Sequence, residues 1–176
     1  NLTGLEEVVL PSSLNAIEYG AFYGCSALES ITLPESVTTI GETAFYNCAA
    51  LTGIVIPESV TVINNDCFEA CTALTSVTLP ASVKAIGDYA FRGCTKLATL
   101  RLGSDCVFSE NAMTDHPTIL TVFTVLDSPC WAACHELGIM LMHDDGTIVM
   151  PEEDPEEGSG QIIGGVFEDE STEEET

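Results

Sequence analysis

Four of the eight cysteines stand 23 residues apart, at Cys25, Cys48, Cys71 and Cys94. Such a series could bridge, hold a metal or furnish a nucleophile. Structural zinc asks for four ligands gathered tetrahedrally, commonly from C-x-x-C pairs, and no such pair occurs. A cysteine nucleophile needs a base brought to it by the fold. The three histidines, His116, His135 and His143, all follow the series, and the one adjacent pair, Cys134-His135, is adjacent in sequence, which is not how a nucleophile meets its base. Disulfides stay open on distance, because residues one strand spacing apart lie within the Cα window of a bridge. The other reading is a buried ladder of small apolar thiols. An identical column in every repeat favours the ladder, since bridging would pair off its members. Cys67 reads as core, Cys130 and Cys134 share one face of a short helix, and Cys106 has no evident role.

Carboxylates are the other abundant reactive groups, with 28 acids against 4 bases and a formal net charge of -24. Thirteen acids fall in residues 143–176, which hold no Lys or Arg. Catalytic pairs could be drawn anywhere among so many acids, so none is assigned; catalytic, cofactor and metal residues are all read as none. Nucleic acid is excluded as a partner because phosphate binding needs clustered Lys and Arg, and an anionic membrane surface is disfavoured likewise. Glu6 stacks on Glu29 and Glu35 on Glu58, either as solvated faces or as weak cation sites. Asp144-Asp145-Gly146 is too short to be a calcium loop. No apolar run approaches the roughly 18 residues of a membrane span, the longest candidate being residues 118–126.

The cysteine series is one column of a larger pattern. Leu5, Leu28, Leu51, Leu74 and Leu97 align at the same spacing, as do Pro11, Pro34, Pro57 and Pro80. Ile17, Ile40, Ile63 and Ile86 form a further column, and Phe22, Phe45, Phe68 and Phe91 another. Four full copies carry no insertion, and a fifth begins at Leu97 and fails partway. A fixed period in the twenties headed by L-x-x-I-x-L indicates a leucine-rich-repeat solenoid, in which no repeat buries its own inward residues and each depends on its neighbours.

One subfamily is close. The phrase carried by Leu28, Ile31, Leu33, Pro34, Ser36, Val37, Ile40, Gly41, Ala44, Phe45 and Cys48 resembles the BspA-like leucine-rich repeats of bacterial surface proteins. The resemblance is close over residues 1–102 and loose over 118–142. Copy three departs from it, with Asn64 in place of the glycine and Cys67 in place of the alanine.

The expected architecture is an α/β repeat: short parallel strands, one per 23-residue repeat, each followed by a single helical turn. In copy two the strand is residues 29–33, with Leu28, Ile31 and Leu33 inward and Pro34 ending it. Val37 and Ile40 supply a second inward pair. Residues 42–47 are too few for a free-standing helix, so one helical turn is expected, holding Ala44, Phe45 and Cys48 to the core. Residues 1–102 form the solenoid, with residues 1–4 reading as the tail of an earlier repeat and the chain as part of a longer protein. Residues 103–142 form a C-terminal cap: an irregular stretch to 117, a strand at 119–126, a helix at 129–137 opened by Ser128 and Pro129 and stopped by Gly138, and a strand at 139–142. Residues 143–176 read as an acidic, largely disordered tail, with 147–150 and 161–167 apolar enough to add a strand.

The natural binding surface is the outward face of the strands. Its columns are Glu7, Ser30, Gly53, Ser76 and Thr99, then Val9, Thr32, Val55, Thr78 and Arg101. They are small and mostly uncharged, without an aromatic or arginine anchor cluster. The reading is a non-catalytic binding module for a protein or glycan ligand. By resemblance it belongs to a bacterial cell-surface protein that contacts host or neighbouring cells; the alternatives are a cytoplasmic scaffold and an accessory domain of a larger enzyme.

Overall fold

Proline after the opening segment in four copies, β-branched residues within that segment and several apolar columns per repeat force the chain to coil and stack. The computed structural model describes residues 2–103, 105–115, 121–123, 134, 140–142 and 148–149. Eleven short strands are described: β1 (Ala16–Ile17), β2 (Thr39–Ile40), β3 (Gly53–Val55), β4 (Val62–Ile63), β5 (Ser76–Thr78), β6 (Ala85–Ile86), β7 (Thr99–Arg101), β8 (Val107–Phe108), β9 (Thr121–Phe123), β10 (Met140–Met142) and β11 (Ile148–Val149). The larger sheet runs β11-β10-β9-β7-β5-β3, parallel except for the antiparallel β10–β11 pair. Val37 and Ile40 were expected only as a second inward pair, yet this side also forms ladders, β1-β2 and β4-β6-β8.

The core is a set of columns. Leu28, Leu51, Leu74 and Leu97 are buried, as are Ile40, Ile63 and Ile86. Phe22, Phe45, Phe68 and Phe91 stack with ring centroids 5.3 to 5.5 Å apart and planes within 8°. Repeating one side chain at one height lets identical rings offset-stack, so each copy completes the cover of the last.

Two expectations are corrected. Residues 29–33 form no strand; there the main chain is held to its neighbours by Glu29 N–H donating to Glu6 C=O at 3.4 Å and Thr52 N–H donating to Glu29 C=O at 3.1 Å. Nor is 42–47 a helical turn. Thr43 and Asn47 have φ of 54° and 55°, left-handed values that a right-handed turn cannot contain. The same two heights are left-handed at Gly20, Asp66 and Tyr89, and at Gly24, Ala70 and Gly93. The cause lies in the hydrogen bonds. Alternate N–H groups of Thr43, Phe45 and Asn47 donate forward to Asn65, Cys67 and Glu69, while those of Ala44, Tyr46 and Cys48 close turns on Gly41, Thr43 and Phe45. Serial tight turns thereby satisfy donors within and between repeats, which a helix would spend entirely on itself.

The fifth copy is better kept than its sequence suggests. Residues 103–117 were expected to be irregular. Instead β8 pairs with β6, setting Phe108 opposite Ile86. Phe91 N–H donates to Ala112 C=O at 2.9 Å, which puts Ala112 in the alanine column and the buried Met113 in the phenylalanine column. One deleted residue and five substitutions (Gly103, Cys106, Phe108, Ser109 and Met113 for the Pro80, Val83, Ile86, Gly87 and Phe91 of copy four) hide a working repeat. Strands β9 and β10 fall within the stretches 119–126 and 139–142, and β11 within 147–150. The expected helix at 129–137 lies outside the described residues apart from the buried Cys134, as do Cys130, the three histidines, Asp144-Asp145-Gly146 and 161–167.

Copies two and three are joined differently from the rest. β2 and β4 are not paired. In other copies the residue after the isoleucine donates its main-chain N–H back one repeat, Gly41 to Ile17 at 2.8 Å and Gly87 to Ile63 at 2.9 Å. At Asn64 the side-chain Nδ2 takes over and donates to Ile40 C=O at 2.6 Å. On the strand side no backbone hydrogen bond joins residues 31–33 to Gly53–Val55. The serial turns and the Phe45–Phe68 stack carry this junction.

Candidate functional site

The ten outward strand-side residues lie at the positions their columns require. Glu7, Val9, Ser30, Thr32, Val55, Ser76, Thr78, Thr99 and Arg101 are exposed, and Gly53 is half-buried. Val9 and Val55 are the most prominent, at 87% and 63% exposed, so apolar surface faces outward where burial would be expected. Register brings Gly53, Ser76 and Thr99 into one row and Val55 and Thr78 into another.

Five of the ten meet at an open depression of about 390 Å³ lined by Thr32, Gly53, Val55, Ser76 and Thr78. Its floor is the buried Ile31, Leu33 and Ile54, and its rim is Glu35 and Pro57, which column reasoning about the strand alone had not included. The signal for the rim was available, since Pro34-Glu35 directly follows the outward columns. Gly53 shapes the depression by close approach: a Cβ there would come within 3.0 Å of Ser76 Oγ. The depression sits at the junction where the strand ladder is interrupted. Glu7, Val9, Ser30, Thr99 and Arg101 share the face without lining it.

The cysteine column is inward. Cys25, Cys48, Cys71 and Cys94 are buried thiols, not bridges, and Cys67 is buried beside them. Cys48, Cys71 and Cys94 each donate to the carbonyl of Phe22, Phe45 and Phe68, at 3.2, 3.1 and 3.2 Å. Burial pushes the Cys48 and Cys94 thiols up to about 12 and raises Cys67 and Cys71 as well. Thiols held protonated and hydrogen-bonded are poor nucleophiles and poor ligands. Among the described residues no three His, Cys, Asp or Glu side chains meet as a metal site. No helix there is long and apolar enough to cross a membrane.

The turn side carries a second outward column that sequence reasoning missed. Tyr23 and Tyr46 stack with centroids 4.8 Å apart and planes 2° apart. One repeat on stands Glu69, then Arg92, whose guanidinium lies 3.7 Å from both Glu69 and Asp115 and 5.2 Å from the centre of the Tyr89 ring. Burial, then a hydrogen bond that the protonated carboxyl donates to Asp66, raises the Glu69 carboxyl, and the nearby Glu69 charge raises the Tyr46 phenol. The column is a self-satisfied edge of partly exposed pairs, each of small energetic weight.

With this geometry in view, the comparisons with known proteins are decisive for the fold. The family described as the BspA type leucine rich repeat region matches residues 1–137 in six copies. The chain belongs to the BspA-type leucine-rich-repeat family. Six copies are one more than the sequence columns displayed. Among solved structures, the chain is similar to the leucine rich repeat protein of T. pallidum (27% identity, 77% of this chain and 67% of that chain, TM-score 0.62). It is also similar to a leucine rich cell surface protein from Faecalibacterium prausnitzii (28%, 80% and 36%, 0.61) and to a leucine-rich repeat protein from Bacteroides ovatus (32%, 66% and 33%, 0.53). It spans about a third of the length of the latter two. No curated protein matches. BspA-type repeats are stacked scaffolds, and such repeats generally bind protein partners through their outward faces.

Proposed function

We propose that this BspA-type array is the non-catalytic binding module of a bacterial cell-surface protein, and that the face of the larger sheet mediates adhesion to host or neighbouring cells. The observation carrying this reading is the depression around Gly53, flanked by the exposed Val55 on a face of small hydroxyl side chains. In this reading residues 1–102 are the binding array. Residues 103–142 close its end, helped by the antiparallel β11, because a reversed strand cannot continue a parallel stack. Residues 143–176 otherwise form an acidic linker. The similarity to a leucine rich cell surface protein of F. prausnitzii supports the location.

The location is tested by labelling intact producing cells with a membrane-impermeant amine reagent, for which the exposed Lys84 and Lys96 are targets. Tagging of the parent protein is expected. Protection in intact cells, with tagging after lysis, overturns the surface reading. The binding role is tested by adding purified chain to an adherence assay of the producing cells. Wild-type chain should block adherence and the Val55→Asp variant should not; equal effects of the two would remove the strand face from the account.

A further inference from the structure

On the side of the second inward pair, neighbouring copies are tied together at three heights. The Ser36 and Ser82 hydroxyls donate one repeat back, to Leu14 C=O at 2.6 Å and Val60 C=O at 2.8 Å. The Thr38 and Lys84 N–H groups donate to Asn15 C=O at 2.9 Å and Thr61 C=O at 2.8 Å. Those of Gly41 and Gly87 donate to Ile17 and Ile63 C=O. Between copies two and three all three links fail. Among the described residues the Ser59 hydroxyl and the N–H groups of Thr61 and Asn64 make no such bond, and Asn64 Nδ2 alone stands in.

The cause is one side chain. A Cβ on Gly41 would fall 2.6 Å from Tyr19 N, and one on Gly87 would fall 2.9 Å from Asn65 N. Glycine is therefore what lets each copy approach the last at this height. Asn64 carries that Cβ, so its backbone stands off from residues 41–42 and the links beside it are lost. On the strand face a single bond, Thr52 N–H to Glu29 C=O, replaces a ladder such as β3–β5. Copies one and two also lack that ladder, but they keep all three links, the β1–β2 pair and the Tyr23–Tyr46 stack. The junction between copies two and three is packed, yet it is bonded mainly along its turns.

In a stack of repeats stability is a sum of neighbour terms, so opening concentrates at the weakest junction. We propose that the array is built of two cooperative blocks that meet between copies two and three, residues 5–50 opening as one unit while copies three to five stay folded. The depression has residues 31–35 on one block and Gly53, Ser76 and Thr78 on the other, so it exists only while the junction is closed. Neither the break nor its cause depends on what the strand face binds.

The buried cysteines are the probes. The whole chain at neutral pH is given short pulses of N-ethylmaleimide, and labelling of each cysteine is followed by peptide mass spectrometry and divided by its rate in the urea-unfolded chain. Cys25 and Cys48 should label at matching rates, both about tenfold or more faster than Cys94. A graded series, Cys25 ahead of Cys48 and Cys48 ahead of Cys94, would mean fraying without a boundary. Equal rates at all three would mean a single cooperative unit. Either result overturns the proposal. Asn64→Ala, which removes the remaining tie to Ile40, should speed Cys25 and Cys48 about tenfold and leave Cys94 unchanged. An unmoved Cys48, or an equal gain at Cys94, would overturn it too. Asn64→Gly removes the Cβ and should label Cys48 more slowly than Asn64→Ala; the reverse order would overturn the assigned cause. The wild-type rates decide the matter even where a variant does not fold.

Discussion

The thiol of Cys71 donates a hydrogen bond to the main-chain carbonyl of Phe45, 3.1 Å away in the preceding repeat. That carbonyl also accepts the N–H of Cys48, which closes the turn of its own repeat. Cysteine at this height is therefore a packing residue with a polar duty: small enough for a crowded column, and able to tie one turn to the next.

The column makes stability depend on pH. The Cys48 and Cys94 thiols are pushed up from the ordinary 9.0 to about 12, chiefly by burial. A group whose folded value is raised keeps its stabilising effect fully below its unfolded value and loses it as pH climbs toward the folded one. Urea midpoints should therefore be insensitive to these thiols up to about pH 8, then fall between 9.0 and about 12. The Cys48→Ala/Cys94→Ala double variant should show a shallower fall. An equal slope would remove the thiols as the cause.

Phe45 is stacked on both faces, by Phe22 and Phe68, and fully buried. Phe45→Ala should cost about 3–5 kcal/mol in chemical unfolding. Phe22, stacked on one face among the described residues and 9% exposed, should cost less on the same truncation. Equal costs would mean that the column does not act as a stack.

Asn64 supplies through Nδ2 the hydrogen bond that Gly41 and Gly87 supply through the main chain. Asn64→Ala leaves Ile40 C=O without this donor and should cost about 1–2 kcal/mol. Asn64→Gly should cost less, because the main-chain N–H can then donate as in the other copies. This order is the reverse of what glycine's larger unfolded-state entropy would give, so thermal unfolding of the two variants is a sharp test.

Ala70 holds φ of 60° at a height occupied by Gly24, Asn47 and Gly93 in the other copies. Ala70→Gly should raise stability by about 0.5–1 kcal/mol, relief of the left-handed strain outweighing the entropy that glycine adds to the unfolded chain. Gly93→Ala should lower it, although a Cβ there meets Ala70 only at an ordinary 3.6 Å. A melt in which Ala70→Gly loses stability would contradict the assigned turn.

Legibility in the sequence tracks periodicity. The inward columns recur at one spacing, so Leu28, Phe45 and Cys48 could be placed in the core from spacing alone, and the outward columns through Gly53 and Val55 followed from alternation. The turn at 42–47 could not be read. Thr43 and Tyr89 are poor candidates for left-handed backbone by type, and only bonding to the next repeat holds them there. The fifth copy escaped because one deletion shifts Phe108, Ala112 and Met113 out of column. The rim residue Glu35 escaped because it lies just past the strand.

By itself the sequence determined the stack: a 23-residue apolar pattern cannot be buried within one copy, so neighbours of like pattern must cover it. It also determined the chain's own strongly acidic charge, because charge is a property of composition. Only the tertiary structure decided where the ladders break. That depends on whether Asn64 donates through its side chain or its backbone, and on whether residues 31–33 form a ladder with β3. Both are matters of hydrogen-bond competition across a junction, which no single repeat encodes.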